Sequence, residues 1–223
     1  MEQIKLDLSR KNLADYNTSN LRDLTYLNLS YNRLINIDLS NLQDLTYLNL
    51  SYNRLINIDV SNSINLAELY LSSNQLTEID VSNLINLTEL YLSSNQLTNI
   101  DVSNLHNLTK LDLSNNQLTN IDVSNLHNLT ELYLSNNQLT QITINNLPSL
   151  KFLTLDNNNL TNFNIIQPLN KEIIQNLISL ITKLPPLDFF NQNYLDESII
   201  NELPKEFRQE YSKFNQRKIK KAL

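Results

Sequence analysis

The sequence predicts an α/β-type repeat solenoid, with a parallel sheet on its concave side, short convex segments and a helical C-terminal cap. Three observations predict this fold. A pattern of Leu and Asn recurs at a constant interval of 21 residues. At the centre of each unit, apolar and polar residues alternate with the period of a half-buried strand. After residue 167 the apolar residues change to helical spacing.

The repeat is clearest in Leu87–Leu97, LTELYLSSNQL, which spells L-x-x-L-x-L-x-x-N-x-L. The same pattern begins again at Leu66, Leu108 and Leu129. One leucine of the pattern can be followed from Leu8 to Leu155 in steps of 21 residues. The sequence therefore predicts eight units without an insertion or deletion between them.

The two ends of the array differ from its middle. In the first unit, Gln3 and Lys11 replace a consensus Leu and Asn, and terminal repeats are usually atypical because one side faces water. We therefore expect a solenoid over residues 1–166, with the first unit as its own cap. Residues 167–223 contain apolar residues at helical spacing, interrupted by prolines, and are expected to form a helical cap and tail.

Within each unit, the L-x-L-x segment is predicted to be a strand, and stacked units would place these strands about 4.8 Å apart. The second half, such as residues 98–105, is too short for a full α-helix and has room for a turn and a brief extended or 3₁₀ segment. Ile100, Val102 and Leu105 are expected to point inward and to close the core.

These residues resemble the leucine-rich repeat family over residues 3–165. The unit LTxLYLSxNQLTxIDVSNLxN looks like the short repeats of bacterial internalin-like arrays, which also occur in large DNA viruses. The resemblance implies a curved solenoid that recognises protein ligands on its concave sheet.

Two columns of outward-pointing strand residues are the predicted binding surface. The candidate residues are Tyr26, Tyr47, Glu68, Tyr70, Glu89, Tyr91, Lys110, Asp112, Glu131, Tyr133 and Phe152. Tyr31 and Tyr52 flank them in loops. Aromatic side chains are frequent in interaction hot spots, and carboxylates beside them favour a basic partner. The alternative is that duplication copied these residues and that tyrosine stacking only stabilises the sheet.

A column of asparagines is predicted to be structural. It consists of Asn32, Asn53, Asn74, Asn95, Asn116, Asn137 and Asn158. Each side chain is expected to turn inward and to bond backbone groups of its own and neighbouring loops, because an unsatisfied buried amide costs about 1–3 kcal/mol. Since the chain has no Gly, left-handed turn positions are expected to fall to Asn, Asp or Ser.

The composition disfavours catalysis, metals and cofactors. Without Gly there is no phosphate loop or dinucleotide fingerprint, and without Cys there is no thiolate nucleophile or disulfide framework. His106 and His127, in equivalent positions of adjacent units, make a weak metal site. A column of aspartates (Asp38, Asp59, Asp80, Asp101, Asp122) is expected to cap local N–H groups rather than to bind a cation. We predict no enzyme, no catalytic residues, no metal and no cofactor.

Charge and hydropathy define the expected partner. Residues 1–166 contain 8 basic and 16 acidic groups, a balance that disfavours nucleic acid. The start lacks the apolar core of a signal peptide and no apolar run could span a membrane, so we expect a cytoplasmic protein, in the host cytoplasm if it comes from a virus or intracellular pathogen. The predicted function is a monomeric, non-catalytic module that binds a protein with a basic surface. The alternatives are an adaptor or effector whose tail recruits other machinery, and a scaffold without a specific ligand.

Overall fold

The computed structural model describes residues 4–165 and, beyond them, Ile173, Lys205, Arg208 and Gln209. The described residues contain ten short strands. They are β1 (Ile4–Asp7), β2 (Leu24–Asn28), β3 (Tyr47–Asn49), β4 (Glu68–Tyr70), β5 (Glu89–Tyr91), β6 (Lys110–Asp112), β7 (Glu131–Tyr133), β8 (Gln141–Ile144), β9 (Phe152–Thr154) and β10 (Asn162–Ile165).

Eight of these strands form one parallel sheet in the order β1-β2-β3-β4-β5-β6-β7-β9. From β2 onward each strand pairs with its neighbour through residues 21 apart, as Leu69 pairs with Leu90. The predicted parallel-sheet solenoid is thereby confirmed, with seven turns joining the eight strands. Strands β8 and β10 pair in a second, two-stranded parallel sheet. The return segments, which lead from one strand of the eight-stranded sheet to the next, therefore also contain extended backbone near the end of the array.

The core is a continuous column of leucines that runs between the sheet and the return segments. The central residue of each strand from β3 to β7, such as Leu90, is fully buried. Val102 and Leu105 close the core from the other side and Ile100 packs against it, as predicted. The alternation of strand residues thus buries every second side chain and leaves its neighbours half exposed.

One core position departs from the repeat. Ser63 lies where the units before and after have the buried leucines Leu42 and Leu84, and its side chain is also fully buried. Its Oγ has no hydrogen-bond partner within the described residues. The backbone is unchanged, because Ser63 N donates to Val60 O at 3.0 Å as Leu84 N donates to Val81 O at 3.0 Å.

The expectation for left-handed turn residues was wrong at three positions. Ser73, Asn115 and their equivalents do take positive φ angles, but so do Arg10 (59°), Tyr31 (56°) and Tyr52 (58°). The side chains of these three residues stack on one another. The rings of Tyr31 and Tyr52 lie 4.3 Å apart and nearly parallel, and the Arg10 guanidinium lies 4.1 Å from the Tyr31 ring centroid. Such contacts offset part of the cost of a left-handed bulky residue.

The predicted helical cap over residues 167–223 lies almost entirely outside the described residues. Within it, Ile173 has helical backbone and is buried with the core leucines. The cap and the domain boundary at residue 166 therefore stay predictions. In the part of the chain that is described, no helix is long and apolar enough to cross a lipid bilayer.

Candidate functional site

The outward-pointing side chains of the eight-stranded sheet form one surface, which we call the sheet face. The sheet register brings the predicted residues together in two columns. One column is Lys5, Tyr26, Tyr47, Glu68, Glu89, Lys110, Glu131 and Phe152, and the other is Asp7, Asn28, Asn49, Tyr70, Tyr91, Asp112, Tyr133 and Thr154. From β2 onward all of these side chains are half exposed.

Aromatic rings run across four neighbouring strands of the sheet face. Tyr26 stacks on Tyr47 with centroids 4.3 Å apart, and Tyr70 stacks on Tyr91 at 4.8 Å. A tilted contact of 5.3 Å between Tyr47 and Tyr70 joins the two pairs. Since rings so packed lose little further freedom on binding, they form a preorganised aromatic surface.

Carboxylates hold the tyrosine hydroxyls. The Tyr70 hydroxyl lies 2.9 Å from Glu68 Oε2 and 3.1 Å from Glu89 Oε2, so two acids share its proton. Tyr91 donates to Glu89 at 3.3 Å, and Tyr133 donates to Glu131 at 2.8 Å. These bonds fix the rings against the sheet and use only one oxygen, Oε2, of each carboxylate.

Lys110 interrupts the acidic column. Its Nζ lies 3.4 Å from Glu89 Oε1 and 3.9 Å from Glu131 Oε1, and all three side chains are partly exposed. Such ion pairs contribute about 0–1 kcal/mol to stability, so the arrangement mainly lowers the local negative charge. Beyond Lys110, Tyr133 contacts Phe152 at 5.2 Å in a second, smaller aromatic group.

A shallow concavity of about 370 Å³ lies at the N-terminal end of the sheet face. Lys5 and Glu68 contribute opposite charges to its lining, and Tyr26 and Tyr47 contribute rings. It also includes Ala67, where the other units from β2 to β7 have threonines whose hydroxyls donate to the preceding turn, as Thr88 does to Ala67 O at 3.0 Å. The concavity can accommodate one side chain of a partner.

Three tyrosines of the sheet face have a pKa above the ordinary value of the phenol group. Burial first, then the hydrogen bond to Glu68, raises the pKa of Tyr70 well above its ordinary value. Burial and the charge of Glu89 do the same to the pKa of Tyr91. Burial and the hydrogen bond to Glu131 raise the pKa of Tyr133 to about 12. These hydroxyls therefore stay protonated and act as hydrogen-bond donors.

We expect Tyr133 to ionise only near pH 12, as judged from the phenolate absorbance lost in a Tyr133→Phe variant. Glu131→Gln should lower this pKa, because the negative charge that opposes ionisation is removed. Since the pKa of Tyr133 is raised in the folded state, the protonated Tyr133 hydroxyl stabilises the fold. This contribution is complete below pH 10 and is lost as the pH rises toward 12. A difference titration centred near pH 10 would contradict the bond to Glu131.

The asparagine column lies behind the loops that follow the strands. Asn95 shows its geometry: Oδ1 accepts from Leu76 N at 3.0 Å, and Nδ2 donates to Leu71 O and Leu92 O, both at 3.0 Å. Asn32, Asn53, Asn74, Asn116, Asn137 and Asn158 make equivalent bonds. Each amide therefore joins two turns of the solenoid.

Aspartates and histidines also bond local backbone groups. Asp38 Oδ1 accepts from Ser40 N at 2.9 Å, and this bond, followed by the Ser40 hydroxyl, holds the pKa of Asp38 below its usual value. His106 Nδ1 lies 3.3 Å from Asn125 O, and His127 Nδ1 lies 3.0 Å from Asn146 O. Within the described residues, no group of three or more acidic or imidazole side chains is placed to hold a metal ion.

Sequence reasoning placed the two columns but did not find three features: the hydroxyl-to-carboxylate bonds, the buried Ser63 and the stack of Arg10 on Tyr31. Ser63 could have been found from the register alone, because it interrupts a column of leucines. The stack could not, since nothing in the repeat pattern predicts a tyrosine at a left-handed position.

Three profiles of the leucine-rich repeat match the chain. A single leucine-rich repeat matches residues 23–45, a second leucine-rich repeat profile matches residues 64–118, and a two-copy profile matches residues 106–146. A search of curated proteins finds no significant match.

Solved structures show the same fold. Internalin C2 (InlC2) from Listeria monocytogenes is 30% identical, with a TM-score of 0.51 over 65% of this chain and 72% of that one. Internalin InlF from the same species is 28% identical, with a TM-score of 0.57 over 74% and 56%. YopM from Yersinia enterocolitica is 26% identical, with a TM-score of 0.66 over 76% and 36%.

This chain spans only about half of InlF and a third of YopM, so the likeness concerns the array. Identity to InlC2, the register of 21 residues and the three profile matches all point to one classification. The chain belongs to the leucine-rich repeat family.

Proposed function

We propose that this chain is a non-catalytic protein-interaction module that binds a protein with a basic surface on the sheet face, the expected concave side of the solenoid. Leucine-rich repeat proteins are generally protein-interaction modules and are typically not enzymes. Repeat solenoids bind through extended concave surfaces. The observation that carries the proposal is the unbroken run of half-exposed tyrosines from Tyr26 to Tyr91, whose rings contact one another across four strands.

The charges of the sheet face support a basic partner. Its two columns contain five carboxylates (Asp7, Glu68, Glu89, Asp112 and Glu131) against two lysines (Lys5 and Lys110). Each glutamate has one oxygen bonded to a tyrosine and is thereby oriented. Oriented carboxylates on an aromatic surface favour lysine or arginine side chains, whose aliphatic stems can lie over the rings.

The test begins with a partner identified by proximity labelling or pull-down with the full chain. We expect Tyr70→Ala, Tyr91→Ala and Tyr133→Ala, combined in one variant, to weaken its binding by about 30-fold or more, the loss typical of removing one hot spot. Binding is measured by biolayer interferometry at two salt concentrations. The association rate of the unaltered chain should fall as salt rises, because the attraction is electrostatic.

The control replaces exposed residues of the return segments, with Gln43→Ala, Ile64→Ala and Ile85→Ala combined, and should leave binding unchanged. Thermal unfolding of both variants checks that the array is intact. Unchanged capture by the folded tyrosine variant would rule out the sheet face as the binding surface.

A further inference from the structure

A second exposed surface lies beyond the C-terminal ends of β2 and β3. After these strands, buried and exposed side chains alternate along the chain. The exposed ones form three pairs from adjacent turns: Tyr31 and Tyr52, Arg33 and Arg54, Ile35 and Ile56. We call these six residues the flank patch. The turns are tied by their backbones, since Tyr31 N donates to Ser51 O at 2.9 Å.

The flank patch is confined to two turns. In the four following units the same positions have Ser or Asn, then Gln, then Thr, as in Ser94, Gln96 and Thr98. The tyrosines and isoleucines of the patch are between 43% and 53% exposed. They make up four of the seven large apolar side chains that are exposed in the described residues, so more than half of this exposed apolar surface lies in the patch.

The fold does not require tyrosine at these positions. Tyr31 and Tyr52 have φ angles of 56° and 58°, in a region that disfavours bulky residues. The stacking of the two rings offsets part of this cost. The equivalent Ser94 and Asn115 adopt the same backbone conformation, so the array forms without the rings.

The charge of the patch is opposite to that of the array around it. Residues 1–166 contain 8 basic groups, and three of them, Arg10, Arg33 and Arg54, lie at or beside the patch. Within the described residues, no carboxylate lies within ion-pair distance of these arginines. Arg10 is stacked on the Tyr31 ring at 4.1 Å, which leaves the N–H edge of its guanidinium available for a carboxylate.

We propose that the flank patch is a second docking surface, which binds an acidic peptide segment of another protein whose carboxylates alternate with apolar side chains. The arginines would pair with the carboxylates, and the rings and isoleucines would cover the apolar side chains. This assignment is independent of the sheet face, where the charge is of the opposite sign. A phosphate backbone is disfavoured, because only three arginines lie at or beside the patch to neutralise its charges.

The test uses the full chain and a variant that installs the residues of the later units: Tyr31→Asn, Tyr52→Asn, Arg33→Gln, Arg54→Gln, Ile35→Thr and Ile56→Thr. Peptides are selected on the unaltered chain from a random phage-displayed library and then synthesised. We expect acidic peptides with aromatic or aliphatic side chains, which bind the variant about tenfold or more weakly in fluorescence anisotropy.

Three outcomes would overturn the proposal: no acidic peptides among those enriched, acidic peptides that bind both chains equally, or single-stranded RNA bound by the unaltered chain and lost in the variant. Thermal unfolding should show that the variant is at least as stable, since strained tyrosines are removed. If it is not, Arg33→Gln with Arg54→Gln alone should still weaken the selected peptides severalfold. The combined tyrosine variant of the sheet face should retain peptide binding, which separates the two surfaces.

Discussion

Replacing Asn95 by Ala should lower the free energy of unfolding by about 3 kcal/mol. The Asn95 side chain is the acceptor for Leu76 N, a buried N–H with no other bond within the described residues. Leaving such a donor unpaired costs about 1–3 kcal/mol. Asn95 Nδ2 also donates to two backbone carbonyls. Leu71 O accepts from both Asn74 and Asn95, and Leu92 O accepts from both Asn95 and Asn116. Losing each bond costs about 1 kcal/mol more.

The measurement is urea unfolding followed by circular dichroism. The matched control is Asn107→Ala, because Asn107 also donates to a carbonyl of the preceding turn, Ile85 O at 3.0 Å, but at an exposed position. Water can replace that bond, so the control should lose less than about 1 kcal/mol. Equal effects of the two substitutions would show that the buried asparagine column does not hold the turns together.

Replacing Ser63 by Leu should raise the free energy of unfolding by about 2 kcal/mol. Ser63 is fully buried at a position where adjacent turns have Leu42 and Leu84, and its backbone bonds match theirs. A leucine there buries apolar surface worth about 1.5–3 kcal/mol. It also removes a hydroxyl that has no partner among the described residues, a group that costs about 1–3 kcal/mol. Repacking of the neighbouring leucines would take back part of the gain.

Ser63→Ala separates the two contributions, because it removes the hydroxyl without filling the space. We expect Ala to raise the stability by about half as much as Leu, again measured by urea unfolding. A Leu variant less stable than the unaltered chain would mean that the core has closed around the serine and is overpacked by a larger side chain.

The array was predictable from the sequence because a fixed period carries three-dimensional information. Once Leu90 is assigned to the core, every residue 21 positions away has the same environment, so the columns and their faces follow. The inward turn of Asn95 was predictable for the same reason, since a polar residue in a leucine pattern needs backbone partners.

The 21-residue period does not predict the side-chain conformations within a column. The bond from Tyr133 to Glu131 depends on rotamers, and Lys110 could equally have pointed into solvent. Tyr31 adopts a left-handed backbone although its propensity opposes it, because the turn geometry is dictated by the neighbouring units. The backbone conformation that the neighbouring turns impose thus prevails over the preference of tyrosine for negative φ angles.

The bonds that join turns have one further consequence. The same bonds recur at every step of the stack: Leu76 N to Asn95 Oδ1 is repeated as Leu97 N to Asn116 Oδ1. Removing or duplicating a stretch of one full period therefore recreates the same junction. The number of tyrosines and acids on the sheet face can thus change by deletion or duplication of whole repeats, while the fold of the remaining repeats stays the same. The size of the sheet face can therefore change in evolution without a change in the bonds that join neighbouring turns.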